Sequence, residues 1–239
     1  MGTSVPSESS PVPATGEGNM TVWGVVVAGG LGRRFGAEKQ FLCLNGKPVH
    51  LWALEATRSV ADGVVLVVPP GRERDPELQT VADRVVAGGD TRAASVRAGL
   101  RAVPPEAAII VVHDAVRPMA STALFRAVVA AVAGGAVAAI PGVPVADTVK
   151  SVEDGVVRQT LDRSKLVRVQ TPQAFVASIL RQAHAVEADW TDDAAVVEAF
   201  GVEVVVVPGE DGNVKITSPG DMALLEWRLA STSPSRNLS

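Results

Sequence analysis

The sequence has one cysteine in 239 residues, Cys43, so an intramolecular disulfide is excluded and the chain fits a reducing, cytoplasmic compartment. Cys43 stands in the apolar run FLCL without a nearby histidine, which predicts a buried packing residue rather than a nucleophile. Basic residues are not in excess either: 22 Lys and Arg stand against 26 Asp and Glu, a formal net charge of −4. Nucleic acid and membrane are therefore excluded as partners held by bulk charge, and any positive charge that matters is local. No stretch approaches the ~20 consecutive apolar residues that cross a bilayer, and the first residues lack the basic-then-apolar pattern of a secretory signal. No His/Cys set has zinc-ligand spacing, and no Ser, His and Asp form a recognisable triad. His50 and His184 read as surface or packing residues.

What is present is an apolar fraction of 47% against 20% charged residues, enough to bury a sizeable core as one domain. Residues 1–20 and 232–239 are small and polar and are expected to be disordered, leaving a single domain over 21–231. Within it, short apolar runs recur at 22–28, 63–69, 107–113, 136–141 and 202–208, with helix-like segments between them. Continuous apolar runs alternating with helices predict a mostly parallel sheet covered on both faces, an α/β fold. Asp90 can cap a helix that puts Val96, Leu100 and Val103 on one face, and Ser218-Pro219 opens another around Met222, Leu225 and Leu229. Thr191-Asp192-Asp193-Ala194 reads as a helix start with a cap and an acidic first turn. The segment 147–172 breaks the alternation with two extended runs around Asp154-Gly155, a strong hairpin signal. A lone two-stranded ribbon is marginal in water, so this arm is expected to pack against something else, such as a second subunit.

In open parallel sheets, ligands bind outside the carboxyl ends of the strands. The first run leads into VVVAGGLGRRFGAEKQFL at 25–42. As a dinucleotide fingerprint it lacks a third glycine, where Phe35 stands, and as a P-loop it fails because Gly46-Lys47 is followed by proline. It remains a Gly-rich turn that lets backbone N–H groups approach an anion, with Arg33, Arg34 and Lys39 following, a set suited to a triphosphate. Gly88-Gly89-Asp90-Thr91-Arg92 gives a second close backbone approach. His113-Asp114-Ala115-Val116-Arg117-Pro118 puts a carboxylate and a guanidinium at a strand end, as ligand groups or as an Asp114–Arg117 structural pair. Asp147-Thr148, Asp162-Arg163, Thr171-Pro172-Gln173 and Lys215-Ile216-Thr217 place further polar groups beside extended or turn segments.

Taken in order, AGGLGRRFGAEKQF, GGDTRAASV, HDAVRP, DTVK, LDR, TPQ, TDDA and NVKIT resemble the 2-C-methyl-D-erythritol 4-phosphate cytidylyltransferases of the non-mevalonate isoprenoid pathway, over roughly residues 22–230. The resemblance implies a Rossmann-like nucleotidyltransferase fold with a projecting β-arm, a homodimer joined through that arm, and CTP used with magnesium or another divalent cation. It places Ala28, Gly29, Gly30 and Gly32 around the CTP base and phosphates, and Arg34 and Lys39 on the reacting phosphates. Gly88, Asp90 and Ser95 would contact cytidine, while Asp114, Arg117 and Thr148 would face the methylerythritol phosphate. Thr171 and Lys215 would lie near that phosphate, and Arg163 would reach the neighbouring subunit's substrate. This sequence departs from the common pattern at Gly29, Phe35 and Val116.

The implied reaction is attack by a phosphate oxygen on the α-phosphorus of CTP. The nucleophile is already an anion, so no general base is needed, in keeping with the lack of a catalytic histidine. The alternatives are a cytidylyltransferase for another polyol phosphate, such as ribitol 5-phosphate, and a non-catalytic CTP-binding module.

Overall fold

The computed structural model describes residues 20–30, 35, 38–186, 190 and 192–232. The tail segments 1–19 and 233–239 lie outside these. Met20 packs on the core and the last helix runs through Thr232.

In chain order the strands and helices are β1 (Val22–Val27), β2 (Cys43–Leu44), β3 (Lys47–Pro48), α1 (Val49–Arg58), β4 (Gly63–Val68), α2 (Pro76–Gln79), β5 (Arg84–Ala87), α3 (Arg92–Ala102), β6 (Ile109–Asp114) and α4 (Thr122–Ala133). They continue as β7 (Ala138–Pro144), β8 (Lys150–Glu153), β9 (Val156–Thr160), β10 (Val167–Val169), β11 (Gln173–Val176), α5 (Ala177–Ala183), α6 (Asp193–Glu198), β12 (Val204–Pro208) and α7 (Pro219–Thr232). The main sheet has eight strands in the order β10-β7-β11-β6-β1-β4-β5, with β12 also on β7. β6, β1, β4 and β5 are mutually parallel, and β12 is parallel to β7. β11 runs antiparallel between β6 and β7.

The continuous apolar runs have the cause the sequence implied, since both faces of the sheet are covered. Val25, Val65, Val67, Ile110 and Val112 pack with α3 and α5 residues such as Val96, Leu100 and Leu180. The alternate residues face the other way: Ile109 and Val111 meet Leu124, Phe125 and Val128 of α4, and Val26, Val64 and Leu66 meet Ala53 and Leu54 of α1. Gly99 sets the closeness of α3 to the sheet, because a Cβ there would lie 2.5 Å from a Val25 methyl. On α7, Leu225 is buried in a cluster with Leu44, Val49 and Ile216, with Met222 and Leu229 against it.

Four expectations are corrected. Cys43 is exposed: in the short β2–β3 bridge, strand alternation sends Leu44 inward and Cys43 outward. Thr91, not Asp90, caps α3, its hydroxyl accepting from Ala94 N at 3.1 Å. The run at 202–208 forms β12, which has one paired edge and leaves Val205 and Val206 exposed rather than covered. The arm is the β8–β9 hairpin alone, turning through Asp154 at φ 51° and Gly155 at φ 76°; from Val167 the chain rejoins the main sheet as β10, paired with β7. Val152, Val156 and Val157 of this hairpin are exposed. Among the described residues no helix is long and apolar enough to cross a membrane.

Candidate active site

The carboxyl ends of β1, β4, β5 and β6 open into a cleft of about 640 Å³. Its lining brings together Ala28, Gly29, Gly30, Lys39, Asp90, Ser95, Asp114 and Lys215, eight positions singled out by motif and drawn from widely separated parts of the chain. The strand ends are held tightly, with Ala28 N donating to Val67 O at 2.7 Å and Gly88 N to Val68 O at 2.7 Å. Gly29 and Gly88 flank Ser95: a Cβ on Gly88 would lie 2.7 Å from Ser95 Oγ and one on Gly29 3.0 Å. The same Oγ accepts from Gly89 N at 3.2 Å and donates to Gly89 O at 3.3 Å, so the glycines make room for the serine that fixes their loop.

Gln40, which the motif reading passed over, anchors the first Gly-rich turn. Its buried side chain donates from Nε2 to Gly30 O at 2.9 Å, and its own carbonyl accepts from His50 Nδ1 at 3.0 Å. His50 is thus a packing residue, edge-on to Phe41, and burial lowers its pKa despite the bond to Gln40. Lys39 lines the cleft with its Nζ 5.9 Å from the Phe35 ring centre. Gly32, Arg33 and Arg34 lie outside the described residues.

The cleft floor is a network of charges. Asp114 Oδ1 accepts from Arg92 Nε at 3.1 Å, and Oδ2 is 2.7 Å from Lys215 Nζ. Burial would raise the Asp114 carboxyl, but Arg92 and Lys215 outweigh it and hold the group well below the usual carboxylate range. Arg92 Nη1 lies 2.8 Å from Asp193 Oδ2, and Asp193 Oδ1 lies 3.1 Å from His184 Nε2. The partner of Asp114 is thus Arg92 with Lys215, not the side chain of Arg117, which donates from Nη1 to Asn213 O at 2.9 Å. Four cations, Lys39, Arg92, Arg117 and Lys215, are gathered around the cleft and the hollow with four carboxylates, Asp90, Asp114, Asp192 and Asp193.

Thr171 joins this floor to the buried His113. Its Oγ1 accepts from Asp114 N at 3.0 Å and lies 3.1 Å from His113 Nδ1, while His113 Nε2 lies 3.3 Å from Arg117 O. A carbonyl accepts only, so Nε2 carries the proton and Nδ1 accepts from the threonine. Beyond the floor a smaller hollow of about 220 Å³ is lined by Arg117, Gln170, Thr171 and Gln173 and shares Arg92, Asp114 and Lys215 with the cleft. Arg92 Nη2, Arg117 Nε and Gln173 Oε1 are buried around it without hydrogen-bond partners among the described residues. Thr148 is exposed, and Arg163 bonds back to Ala146 O; neither lines the cleft or the hollow of its own chain.

The residues that motif reading missed are Gln40, Arg92, Gln173 and Asp193. Arg92 stood inside GGDTR, but nothing local marked it as the link between Asp114 and Asp193. The expected helix start is present, with Asp192 as its cap accepting from Ala195 N at 2.9 Å, and Asp193, expected only as part of an acidic first turn, is 1% exposed.

A mostly parallel sheet with a Gly-rich turn, a second glycine loop and a floor of paired charges at its strand ends defines an α/β protein of the nucleotidyltransferase fold. Solved structures agree: a 4-diphosphocytidyl-2C-methyl-D-erythritol synthase from Anaerococcus prevotii superposes with a TM-score of 0.77 at 29% identity, covering 88% of this chain and 99% of that one. The 2-C-methyl-D-erythritol 4-phosphate cytidylyltransferase of Thermus thermophilus gives 0.72 at 34% identity, covering 86% and 98%. The sequence model of the family described as IspD: 2-C-methyl-D-erythritol 4-phosphate cytidylyltransferase matches residues 22–231, and the chain belongs to that family. The protein of that name from Streptomyces coelicolor is 42% identical over 226 residues, 86% of this chain and 84% of its own. A bifunctional enzyme IspD/IspF from Nitratidesulfovibrio vulgaris is also 42% identical, and there the chain spans only 58% of the relative's length.

Proposed function

We propose that the chain transfers CMP from CTP to 2-C-methyl-D-erythritol 4-phosphate, giving the 4-diphosphocytidyl product and diphosphate. The observation that carries this reading is the pair of adjoining cavities sharing Arg92, Asp114 and Lys215, one bounded by glycine loops and the other by buried, unpartnered guanidinium nitrogens. CTP lies in the larger cleft, with its phosphates on Ala28, Gly29, Gly30 and Gly32 and its cytidine toward Gly88, Asp90 and Ser95. The sugar phosphate lies in the hollow, against Asp114, Arg117 and Thr171. A phosphate oxygen of the acceptor attacks the α-phosphorus, a new P–O bond forms, and the bond to the bridging α,β oxygen breaks as diphosphate leaves. Arg34, Lys39 and Lys215 offset the charge of two anions brought together and stabilise the negative charge that builds at the α-phosphoryl group.

The described residues do not build a cage for a resident cation. Among the described residues no three His, Cys, Asp or Glu side chains converge, and Asp114 has both oxygens on cations. Magnesium coordinates readily through phosphate oxygens and water, so in this reading the divalent ion enters as part of the CTP complex. The arm residues Thr148 and Arg163 complete the site of a second copy in a cytoplasmic homodimer; that neither lines the cavities of its own chain supports this.

The test is a diphosphate-release assay with CTP, magnesium and either 2-C-methyl-D-erythritol 4-phosphate or ribitol 5-phosphate. Release with the first acceptor and little with the second is expected. The reverse preference would reassign the acceptor, and CTP binding without release for any acceptor would overturn the enzymatic reading.

A further inference from the structure

Further along α3 from the cleft, between that helix and α5, lies a separate cavity of about 570 Å³ that shares no lining residue with the cleft or the hollow. Three of its eight lining residues are arginines, Arg97, Arg101 and Arg181, in a chain whose net charge is −4. Among the described residues none of the three is within ion-pairing distance of a carboxylate. Arg181 spends its donors on main-chain carbonyls beyond the end of α3, Val103 O at 3.4 Å, Pro104 O at 2.7 Å and Pro105 O at 3.2 Å, which fixes the guanidinium without neutralising it. Arg97 Nη1 is buried with no hydrogen-bond partner among the described residues. A buried, unpaired guanidinium nitrogen is costly, and its planar fork matches a phosphate or carboxylate.

The remaining wall is four apolar residues and His184, whose Nε2 is engaged 3.1 Å from Asp193 Oδ1. Leu100 and Val103 are nearly fully buried and Pro105 and Ala185 complete the surface. Uncompensated positive charge beside an apolar wall fits a ligand with an anionic head and a short hydrocarbon body. Arg97 and Arg101 can each form a charge-assisted bond to a separate oxygen, and the fixed charge of Arg181 stands beside them, which matches a dianionic head better than a monoanionic one. We propose that this cavity is a second ligand site, for a phosphate ester of an apolar alcohol.

The probe is n-hexyl phosphate, titrated calorimetrically into the full chain, with inorganic phosphate and hexanoate in parallel. Saturable binding of hexyl phosphate is expected, about tenfold tighter than either control. It should weaken at least ~tenfold in Arg97→Gln/Arg101→Gln and persist in Lys215→Ala, which alters the cleft and the hollow but no lining residue of this cavity. Should the double variant fail to fold, Arg101→Gln alone, at an exposed position, should still weaken binding measurably. Equal affinity for hexanoate or inorganic phosphate, loss in the Lys215 variant, indifference to the arginine changes, or no binding at all would each overturn the site.

Discussion

Lys215 is the residue whose loss should separate charge stabilisation from folding. Its side chain lines the cleft and is 39% exposed, and without it Asp114 keeps Arg92 at 3.1 Å. Lys215→Ala is therefore expected to lower kcat by ~100-fold or more, as loss of one well-placed donor does, while the melting temperature moves little. Turnover near the unmodified level would remove Lys215 from the chemistry. Lys39→Ala is expected to behave likewise. His113 makes a different prediction. It is fully buried and its pKa is lowered to about 4, chiefly by burial, against ~6.5 in the unfolded chain. Above pH 6.5 both states are neutral; below it the unfolded chain takes up the proton first, so stability falls as pH drops toward 4, by about 2 kcal/mol at pH 5. His50, also lowered by burial, acts in the same direction. The lowered carboxyls of Asp114 and Asp193 withdraw their contributions only at more acid pH. An NMR titration should find the His113 ring still neutral at pH 5, and a ring titrating near 6.5 would contradict the assignment. The cations and glycines here were legible because motif chemistry is local. The Arg92–Asp193 pair was not, because it joins residues remote in sequence and Asp193 already fitted an acidic first turn at its helix start.

The two glycine loops act as elements because Ser95 locks them together. Gly88→Ala would place a Cβ 2.7 Å from Ser95 Oγ, and the hydroxyl can turn away only by giving up its bonds to Gly89. The expected result is a KM for CTP raised by several-fold, on the order of 1 kcal/mol, with the KM for the acceptor and the melting temperature nearly unchanged. Equal changes in both KM values would argue against a nucleotide-side role for this loop. At this scale the sequence was readable wherever burial on both faces made continuous apolar runs, as in β1, β4 and β6. It was less so for β11, a four-residue strand that enters the sheet antiparallel, because its apolar signal is too short to show periodicity. Cys43 failed for a related reason: an apolar neighbourhood in sequence does not say which face a two-residue strand turns inward.

For the whole molecule, the unresolved demand is on the arm. The β8–β9 hairpin is a sheet of its own, with Val152, Val156 and Val157 on its surface at 59%, 54% and 57% exposure. Two strands with apolar side chains in water are marginal, and Arg163 at the base of the arm does not line the cavities of its own chain. A homodimer in which each arm reaches the other copy relieves both conditions, and it makes a prediction that a monomeric site cannot share. Arg163→Ala and Lys215→Ala homodimers should each be nearly inactive. When the two are unfolded together and refolded, half the dimers contain one chain of each kind. If Arg163 serves the partner's site, one site in each such dimer has an intact Lys215 and an intact Arg163, so the mixture should recover about a quarter of normal activity. If Arg163 acts within its own chain, every site in the mixture lacks one of the two groups and no activity returns. Sedimentation of the mixture establishes that dimers have formed, so absence of recovery in a dimeric sample would count against an arm that reaches across.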